Sequence, residues 1–163
     1  KCLTSDSLVN VIGGFARLAA GGDPEFDADR NDYSTSACIK AAKGVWVSGG
    51  AILVMSNGGA GGKCINTDAG VSMENATVTA VNTGSDFSKD SYSAKSRVVD
   101  AVNVTIGKGA LVQLAGARAA IHSSEVLSVS GGQAFAYTLD GAANPLTGKS
   151  ALVQTGGMLL WGK

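Results

Sequence analysis

The amino-acid sequence predicts an all-β protein that folds as a right-handed parallel β-helix, a solenoid of about six rungs. Three observations lead to this prediction. Related segments recur along the chain, each with apolar residues at every second position on both sides of a glycine-rich break. The breaks recur at intervals of roughly 23 to 36 residues, a spacing typical of repeats that stack on one another. The apolar residues are mostly β-branched and alternate with period two, which favours strands and leaves helices hard to place.

The recurring segment predicts the order of elements in each rung. Its clearest copy, at 45–54, reads Val-Trp-Val-Ser-Gly-Gly-Ala-Ile-Leu-Val, a strand before the Gly-Gly corner and a second strand after it. Further copies are predicted at 9–19, 71–81, 104–114, 127–137 and, more loosely, 152–161, with corners at Gly13, Gly49, Asn75, Lys108-Gly109, Gly131 and Gly156. A third short strand precedes the first and carries Leu3, Ile39, Ile65 or Ile121. Parallel strands joined in this way wind right-handed by default. A β-sandwich is the alternative, but it would need tight hairpin turns that are mostly missing here.

Stacking of the copies predicts columns of inward-facing side chains. The first column contains Val9, Val45, Val71, Val104, Leu127 and Leu152, and the next contains Val11, Val47, Met73, Ile106 and Val129. After the corner, the predicted alternating pairs are Ile52 with Val54, Val78 with Ala80 and Ala134 with Ala136, and the predicted column is Leu18, Val54, Ala80 and Ala136. Burial of these aliphatic side chains would drive the stacking.

Composition limits the classes of function. The 163 residues are expected to form a single domain over 1–163, either alone or as part of a longer surface protein. The 13 Lys and Arg residues balance the 13 Asp and Glu residues, so no basic excess exists to attract nucleic acid. No apolar run reaches the roughly 18 residues of a membrane-spanning helix, so no transmembrane segment is predicted.

Two insertions after second strands are the candidate binding elements. They cover 21–33 and 84–92, and both are expected to leave the solenoid at the same corner. Aromatic rings beside carboxylates and hydroxyls suit sugars, whose C–H faces lie on rings while their hydroxyls take hydrogen bonds. The predicted ligand-binding residues are Phe26, Arg30, Tyr33, Phe87 and Tyr92. The alternative is that the insertions are two solvated turns whose rings merely cover the corner.

The first insertion also has the oxygen spacing of a calcium loop. Asp27, Asp29 and Asn31 stand at every second position, as the first ligands of such a loop do. The sixth position holds Asp32 instead of glycine, and the twelfth holds Cys38 instead of an acidic residue. Calcium is therefore a candidate cofactor that departs from the EF-hand pattern in two places.

The sequence motifs of the repeats resemble those of a known group of proteins. Tyr-Ser-x-x-Ala-Cys-Ile-Lys-Ala, Val-x-Val-Ser-Gly-Gly and Asn-Gly-Gly-Ala-Gly-Gly-Lys-Cys-Ile-Asn are similar to repeats of Bacteroidetes surface proteins described as carbohydrate-binding-domain-containing. The resemblance runs over nearly the whole chain. It implies a right-handed β-helix that is exported, sits at the cell surface and contacts a glycan or surface polysaccharide. It implies no catalytic residues. Where the family tends to have glycine before isoleucine, this chain has Cys38 and Cys64.

The three cysteines occupy matching places in the first three rungs. Cys2, Cys38 and Cys64 each precede Leu or Ile, so they are expected to form a column with Cα atoms about 4.8 Å apart. This spacing lies within disulfide range, but stacked parallel side chains do not automatically give the torsion that a disulfide needs. A column of small packing residues is favoured over a disulfide or a metal site.

Enzymatic and structural roles are the remaining classes. A polysaccharide lyase or hydrolase would need charged residues converging from several rungs on one face, and no such column is evident. His122 aligns with Lys40 and is interpreted as a surface substitution, so the protein is predicted not to be an enzyme. A solenoid also exposes strand edges at both ends, and residues 158–161 are strongly apolar. A structural stalk or a self-assembling solenoid is therefore the alternative to an exported carbohydrate-binding or adhesive module.

Overall fold

The structure is a computed structural model, and it describes residues 1–141, 143–148 and 151–162. In these ranges the chain forms strands, turns and bends, and no helix that is long and apolar enough to cross a membrane. The strands are β1 (Leu3–Ser5), β2 (Val9–Ile12), β3 (Phe15–Ala20), β4 (Glu25–Asp27), β5 (Asp32–Ser34), β6 (Ala37–Ala41), β7 (Val45–Ser48), β8 (Ala51–Asn57), β9 (Lys63–Thr67), β10 (Gly70–Met73), β11 (Ala76–Asn82), β12 (Phe87–Lys89), β13 (Tyr92–Ala94), β14 (Arg97–Ile106), β15 (Leu111–Gly116), β16 (Ala119–Ser130), β17 (Gln133–Thr138), β18 (Leu146–Thr147), β19 (Ala151–Thr155) and β20 (Met158–Gly162).

The larger sheet contains ten strands, and all of its strand pairs are parallel. One limb, β1-β6-β9, pairs with the first half of β14, and the other limb, β2-β7-β10, pairs with the second half of the same strand. Strand β16 lies on the other side of β14 and pairs in turn with β18 and β19. Both limbs thus meet on the long strand β14, and the sheet as a whole is nearly closed, like a barrel.

A second parallel sheet and two hairpins complete the fold. The second sheet has six strands in the order β20-β17-β15-β11-β8-β3. The two insertions fold as antiparallel hairpins, β4 with β5 and β12 with β13. The apolar core lies between the two parallel sheets, where side chains such as Ile39, Val78 and Ile106 are fully buried.

The predicted single right-handed β-helix of about six rungs is wrong. The strands form two separate parallel sheets in a sandwich-like, nearly closed arrangement. The description of the chain as a solenoid is therefore also wrong. One reason lies in the segments before the first strands. Gly70 pairs with Asn103, and Asn103 pairs with Val126, so the fourth and fifth segments have no glycine where the third has one. Strands β14 and β16 run on through this place, with a register irregularity between Ala101 and Asn103, and β14 joins the two sets of strands into one sheet.

Many of the predicted side-chain columns are confirmed by the register of the strands. The residues of the first column are direct neighbours across parallel strands, in the order Val9, Val45, Val71, Val104, Leu127 and Leu152. The second column pairs in the same way, in the order Val11, Val47, Met73, Ile106 and Val129. The inner members of both columns are buried, and their burial holds the two sheets together.

One predicted register is wrong by a single residue, in β8. Leu53 and Met55 are fully buried, whereas Ile52 is 45% exposed and Val54 is half-buried. Leu18 therefore pairs with Met55 and not with Val54. The alternation changes because the inward-facing series begins at Ala51, the residue directly after the two glycines of the corner. A shift of one residue moves every side chain of a strand to the opposite face.

The predicted corners share a backbone conformation. A residue with positive φ stands at each corner, namely Gly13, Gly49, Asn75, Gly109, Gly131 and Gly156. At Gly49, φ is 67°, and an added Cβ would lie 3.0 Å from Ile12 Cγ2. Glycine is favoured there by the left-handed conformation, and a Cβ would also need the Ile12 side chain to shift slightly.

The three cysteines pack as free thiols along the larger sheet. Cys2 is exposed, and Cys38 and Cys64 are buried. The thiol of Cys38 donates to the carbonyl oxygen of Ser56 at 3.2 Å, and that of Cys64 donates to Val81 at 3.4 Å. Hydrogen bonding with Cys38 and burial both raise the pKa of the Cys64 thiol. The expected column is confirmed by the register, since the residues that follow the cysteines, Leu3, Ile39 and Ile65, pair across parallel strands.

Candidate ligand-binding face

The two hairpins bring the four predicted aromatic residues into one cluster. Tyr33 lies at its centre, with ring centroids 5.2 Å from Phe26, 5.3 Å from Phe87 and 5.6 Å from Tyr92. Phe87 and Tyr92, on the two strands of the second hairpin, are 5.9 Å apart. Edge-to-face and tilted pairs at these distances are favourable beyond the area they bury. The cluster therefore fixes the first hairpin against the second.

The cluster also separates two cavities. One has a volume of about 150 Å³ and is lined mainly by polar groups at the base of the first hairpin. The other, of about 380 Å³, lies between the tips of the two hairpins. Tyr33 and Tyr92 line both cavities. Phe26 borders only the second and is 54% exposed, while the Lys89 ammonium lies 5.6 Å from the Tyr33 ring centroid.

The acidic turn of the first hairpin is held by its own hydrogen bonds. Asp27 Oδ1 accepts from the backbone N–H groups of Asp29 and Arg30 at 3.1 and 3.3 Å. Its other oxygen lies 3.7 Å from Nε of Arg30, whose side chain is 75% exposed. Asn31 follows with a φ of 50°, which completes the turn. In the ranges that the structure describes, no group of three or more His, Cys, Asp or Glu residues is arranged to hold a metal, and the calcium site stays a prediction.

The smaller cavity contains several cationic side chains. Lys1, Lys40 and Lys63 line it, together with Arg30 and two carboxylates of the hairpin. Lys63 is only 9% exposed; its Nζ donates to the Gly61 carbonyl at 3.2 Å and lies 3.9 Å from Asp100 Oδ2. Burial lowers the pKa of the Lys63 ammonium, and Asp100 offsets this only in part. A buried ammonium group in contact with Asp100 therefore forms part of the lining of this cavity.

A row of polar residues continues from this cavity across the larger sheet. Consecutive members of the row pair across parallel strands, in the order Thr4, Lys40, Asn66, Asp100, His122 and Thr147. Arg97 Nη1 donates to Asp100 Oδ1 at 2.8 Å, and His122 Nδ1 lies 3.1 Å from Thr147 Oγ1. We refer to this row and the hairpins beside it as the polar face.

The polar face shows where the sequence interpretation failed. No column of charged residues from several strands was expected, yet Lys63, Arg97 and Asp100 come together from neighbouring strands. The signal was the residue after each buried isoleucine or valine of the short strands: Lys40, Asn66, Asp100 and His122 all hold this place. His122 was aligned with Lys40 correctly, but its position beside Asp100 was missed.

A third and larger cavity lies at the far end of the polar face. Its volume is about 440 Å³, and Arg97, Arg118 and His122 line it together with the base of the second hairpin. Asp86, also in the lining, lies 3.1 Å from Lys95 Nζ and 3.7 Å from Arg118 Nε. Burial acts to raise the pKa of the Asp86 carboxyl, but the hydrogen bond from Ser96 N–H and the Lys95 ammonium outweigh it and hold the pKa below its usual range.

Comparison with known proteins adds no relative. No family model, no curated protein and no solved structure matches this chain. The resemblance to Bacteroidetes surface proteins therefore stays an expectation, and carbohydrate binding gains no support from comparison. The fold and the face define the class by themselves. This is an all-β protein of two parallel sheets with an aromatic and polar face built around two hairpins.

Proposed function

We propose that the protein is a non-catalytic binding module whose ligand is a carbohydrate, bound at the two hairpins. The observation that carries the proposal is the aromatic cluster, because Tyr33 and Tyr92 present rings to two separate cavities. Sugar rings lie against aromatic rings through their C–H faces. Their hydroxyl groups would meet Asp32, Ser91 and Lys89 in the larger of these cavities. Rings and hydrogen-bonding groups that converge in this way are typical of ligand sites.

Each ligand-binding residue has a distinct part in this proposal. Phe26 is the outermost ring and offers the most accessible surface. Tyr33, Phe87 and Tyr92 form the wall behind it, and Arg30 reaches into the smaller cavity with a largely exposed guanidinium. Calcium at the turn of the first hairpin is kept as an optional part of the site. Export and a surface location rest on the family resemblance alone.

A glycan array with matched aromatic variants tests the proposal. Phe26→Ala should weaken binding several-fold to about tenfold, since one stacking contact contributes on the order of 1 kcal/mol. Trp46→Ala is the control, because Trp46 is 55% exposed, much like Phe26, but lies on β7, outside the hairpins. Equal binding by the two variants, or a blank array with a folded protein, would overturn the proposal.

Two further arms separate the parts of the proposal. Repeating the array with a chelator tests whether the acidic turn of the first hairpin binds calcium. If the chelator abolishes sugar binding, calcium is part of the site. Incubating any bound polysaccharide with the protein asks about catalysis. New reducing or unsaturated ends would show that the polysaccharide is cleaved and would contradict the non-catalytic part of the proposal. This test is included because the charged side chains of Lys63, Arg97 and Asp100 meet on the same face.

Self-association is the second candidate function, and the exposed sheet edges favour it. Strands β3 and β20 are the outer strands of the six-stranded sheet. Phe15, beside the first edge, is 69% exposed, and Trp161, on the second, is 53% exposed. Unpaired strand edges with apolar side chains are templates for pairing with another chain. Sedimentation that shows a monomer at all concentrations tested, in the absence of sugar, would exclude this function.

A further inference from the structure

A further candidate ligand site is the cavity of about 440 Å³. It has the size of a small-molecule site and is separate from the cavities at the aromatic cluster. Its walls come from the base of the second hairpin, from β14 and β16, and from residues 143–148. Arg118 immediately precedes Ala119, the residue that pairs with Arg97, so the two arginines enter the cavity from neighbouring strands.

One buried hydroxyl in the cavity lacks a partner. Ser96 is 1% exposed and lines the cavity. Its backbone N–H donates to Asp86 Oδ1 at 3.0 Å, but within the described residues its Oγ makes no hydrogen bond. Buried hydroxyls are almost always hydrogen-bonded in native structures, so an unpaired one beside a cavity indicates a missing ligand atom or solvent.

The charges around the cavity favour an anionic group. Lys95, Arg97 and Arg118 line it, with Asp86 as the carboxylate in the lining. Two further carboxylates contact the arginines, Asp100 at 2.8 Å and Asp140 at 3.1 Å. In the contacts recorded for the described residues, Arg118 uses Nε and Nη1, so its Nη2 is left to donate to a ligand. Asp100 and Asp140 lie outside the lining, so the groups that face the cavity are three cations and one carboxylate.

We propose that this cavity binds the carboxylate or sulfate group of an acidic sugar residue, with Arg97 and Arg118 as the anion ligands and Ser96 as a hydrogen-bond partner. Guanidinium groups bind planar carboxylates and sulfates through paired N–H donors. That the anion belongs to a sugar rests on the proposed function, because the cavity shares the polar face with the hairpins. The polar row between them would contact the intervening part of a longer acidic glycan.

His122 provides a direct readout of the site. It is the only histidine of the chain, and its ring lines the cavity. Burial and the charge of Arg97 lower the pKa of its imidazole, Asp100 acts in the opposite direction, and Lys63 lowers it further. An anion bound beside Arg97 would raise the pKa of His122, whereas a neutral sugar would leave it nearly unchanged.

The test is an NMR titration of His122 with three probes: D-glucuronate, D-glucose and inorganic sulfate. The expected result is a saturable shift and a raised pKa with glucuronate, and no shift with glucose at the same concentration. Arg118→Gln should weaken glucuronate binding by about tenfold or more, because it removes a charged donor and leaves Asp86 and Asp140 to repel the anion. Arg17→Gln, the same change on exposed β3, is the control and should bind like the unmodified protein.

The other outcomes overturn the proposal in distinguishable ways. If no probe moves the His122 resonances, the cavity does not bind anions. If sulfate binds as tightly as glucuronate, the site holds an anion and the sugar is not recognised. If Arg118→Gln changes nothing while its circular dichroism is native, the anion lies elsewhere, and Lys95→Gln repeats this test on a second cation. The readout does not depend on Phe26, so failure of binding at the hairpins would leave the His122 response intact.

Discussion

The buried amide of Asn82 ties together the base of the second hairpin, and replacing it should destabilise the whole protein. Its Nδ2 donates to the carbonyl oxygens of Gly62 and Arg97 at 2.7 and 2.8 Å. Its Oδ1 accepts from the N–H of Gly84 at 2.9 Å. Asn82 is fully buried and ends β11, so this one side chain links the strand to the point where the insertion leaves and to the point where the chain returns.

The perturbation is Asn82→Leu, which keeps the branching and the number of heavy atoms of the side chain and removes all three hydrogen bonds. At about 1 kcal/mol for each bond, the expected loss in the free energy of unfolding is about 3 kcal/mol. Part of this loss comes from the buried N–H of Gly84, since leucine leaves it without its acceptor. With a urea m-value of about 1–3 kcal/mol per molar, the unfolding midpoint should fall by about 1 M or more.

The assay is urea unfolding followed by circular dichroism, with Asn103→Leu as the matched control. Asn103 Nδ2 donates only to the exposed Glu125 carboxylate, at 3.2 Å. Its substitution should therefore change the free energy of unfolding by less than about 0.5 kcal/mol. Equal midpoints for the two variants would refute the reasoning, because they would show that the buried amide contributes no more than an exposed one.

Three further predictions concern packing, thiol reactivity and pH. Leu53→Ala should lower the free energy of unfolding by about 2–5 kcal/mol, and Ile52→Ala by less than about 1 kcal/mol. If urea unfolding shows the larger loss for Ile52→Ala, then Ile52 faces inward, as the sequence had predicted. In the native protein a thiol reagent should label Cys2 alone, since the other two cysteines are buried, and labelling of two or three under native conditions would contradict this packing. The pKa of His122 in the folded protein should lie below the usual 6.5. As the pH drops from 6.5 towards that pKa, the unfolded chain binds more protons than the folded protein, so the free energy of unfolding should fall. His122→Gln should remove this part of the pH dependence, and a pKa at or above 6.5 measured by NMR would contradict the prediction.

The sequence was sufficient to predict strands, corners and most of the inward-facing columns. These features are local or repeat from segment to segment, so alternation and a left-handed residue at each corner identify them. The column from Val9 to Leu152 shows this well, since each member pairs with the next across a parallel strand. Where the count of residues at a corner was ambiguous, as at Ala51, the register was wrong by one.

The arrangement of the sheets was harder to predict because it depends on where a strand does not end. Asn103 and Val126 stand where the third segment has Gly70, the residue that begins β10 after the break that follows β9. A residue in place of a glycine is a weak signal in a sequence, but it makes β14 and β16 long and joins two limbs of strands into one sheet. The single right-handed β-helix failed for that reason.

The candidate site divides in the same way between what is local and what is not. The rings of the insertions could be named in advance, because each insertion departs from the repeated pattern and carries its own Phe and Tyr. The sequence predicted that both insertions leave at the same corner, but not that their rings contact Tyr33. The contact between Lys63 and Asp100 could not be anticipated, because it joins residues of different segments whose strands are neighbours.

Parallel pairing in register gives this protein a general way to build a binding surface. A position that faces outward on one strand faces outward on every strand that pairs with it, so one polar position per segment becomes a continuous row. The row from Lys40 to His122 is such a case, and it ends at a cavity on either side. An inserted hairpin next to the row then adds rings without disturbing the core. The amide of Asn82 holds the backbone at the corner where the second insertion leaves, and the amide of Asn57 donates to the Ser36 carbonyl, just after the first insertion returns. Changes of ligand in such a fold need to alter only the outward positions and the hairpins, while the inward columns that stabilise the sheets stay constant.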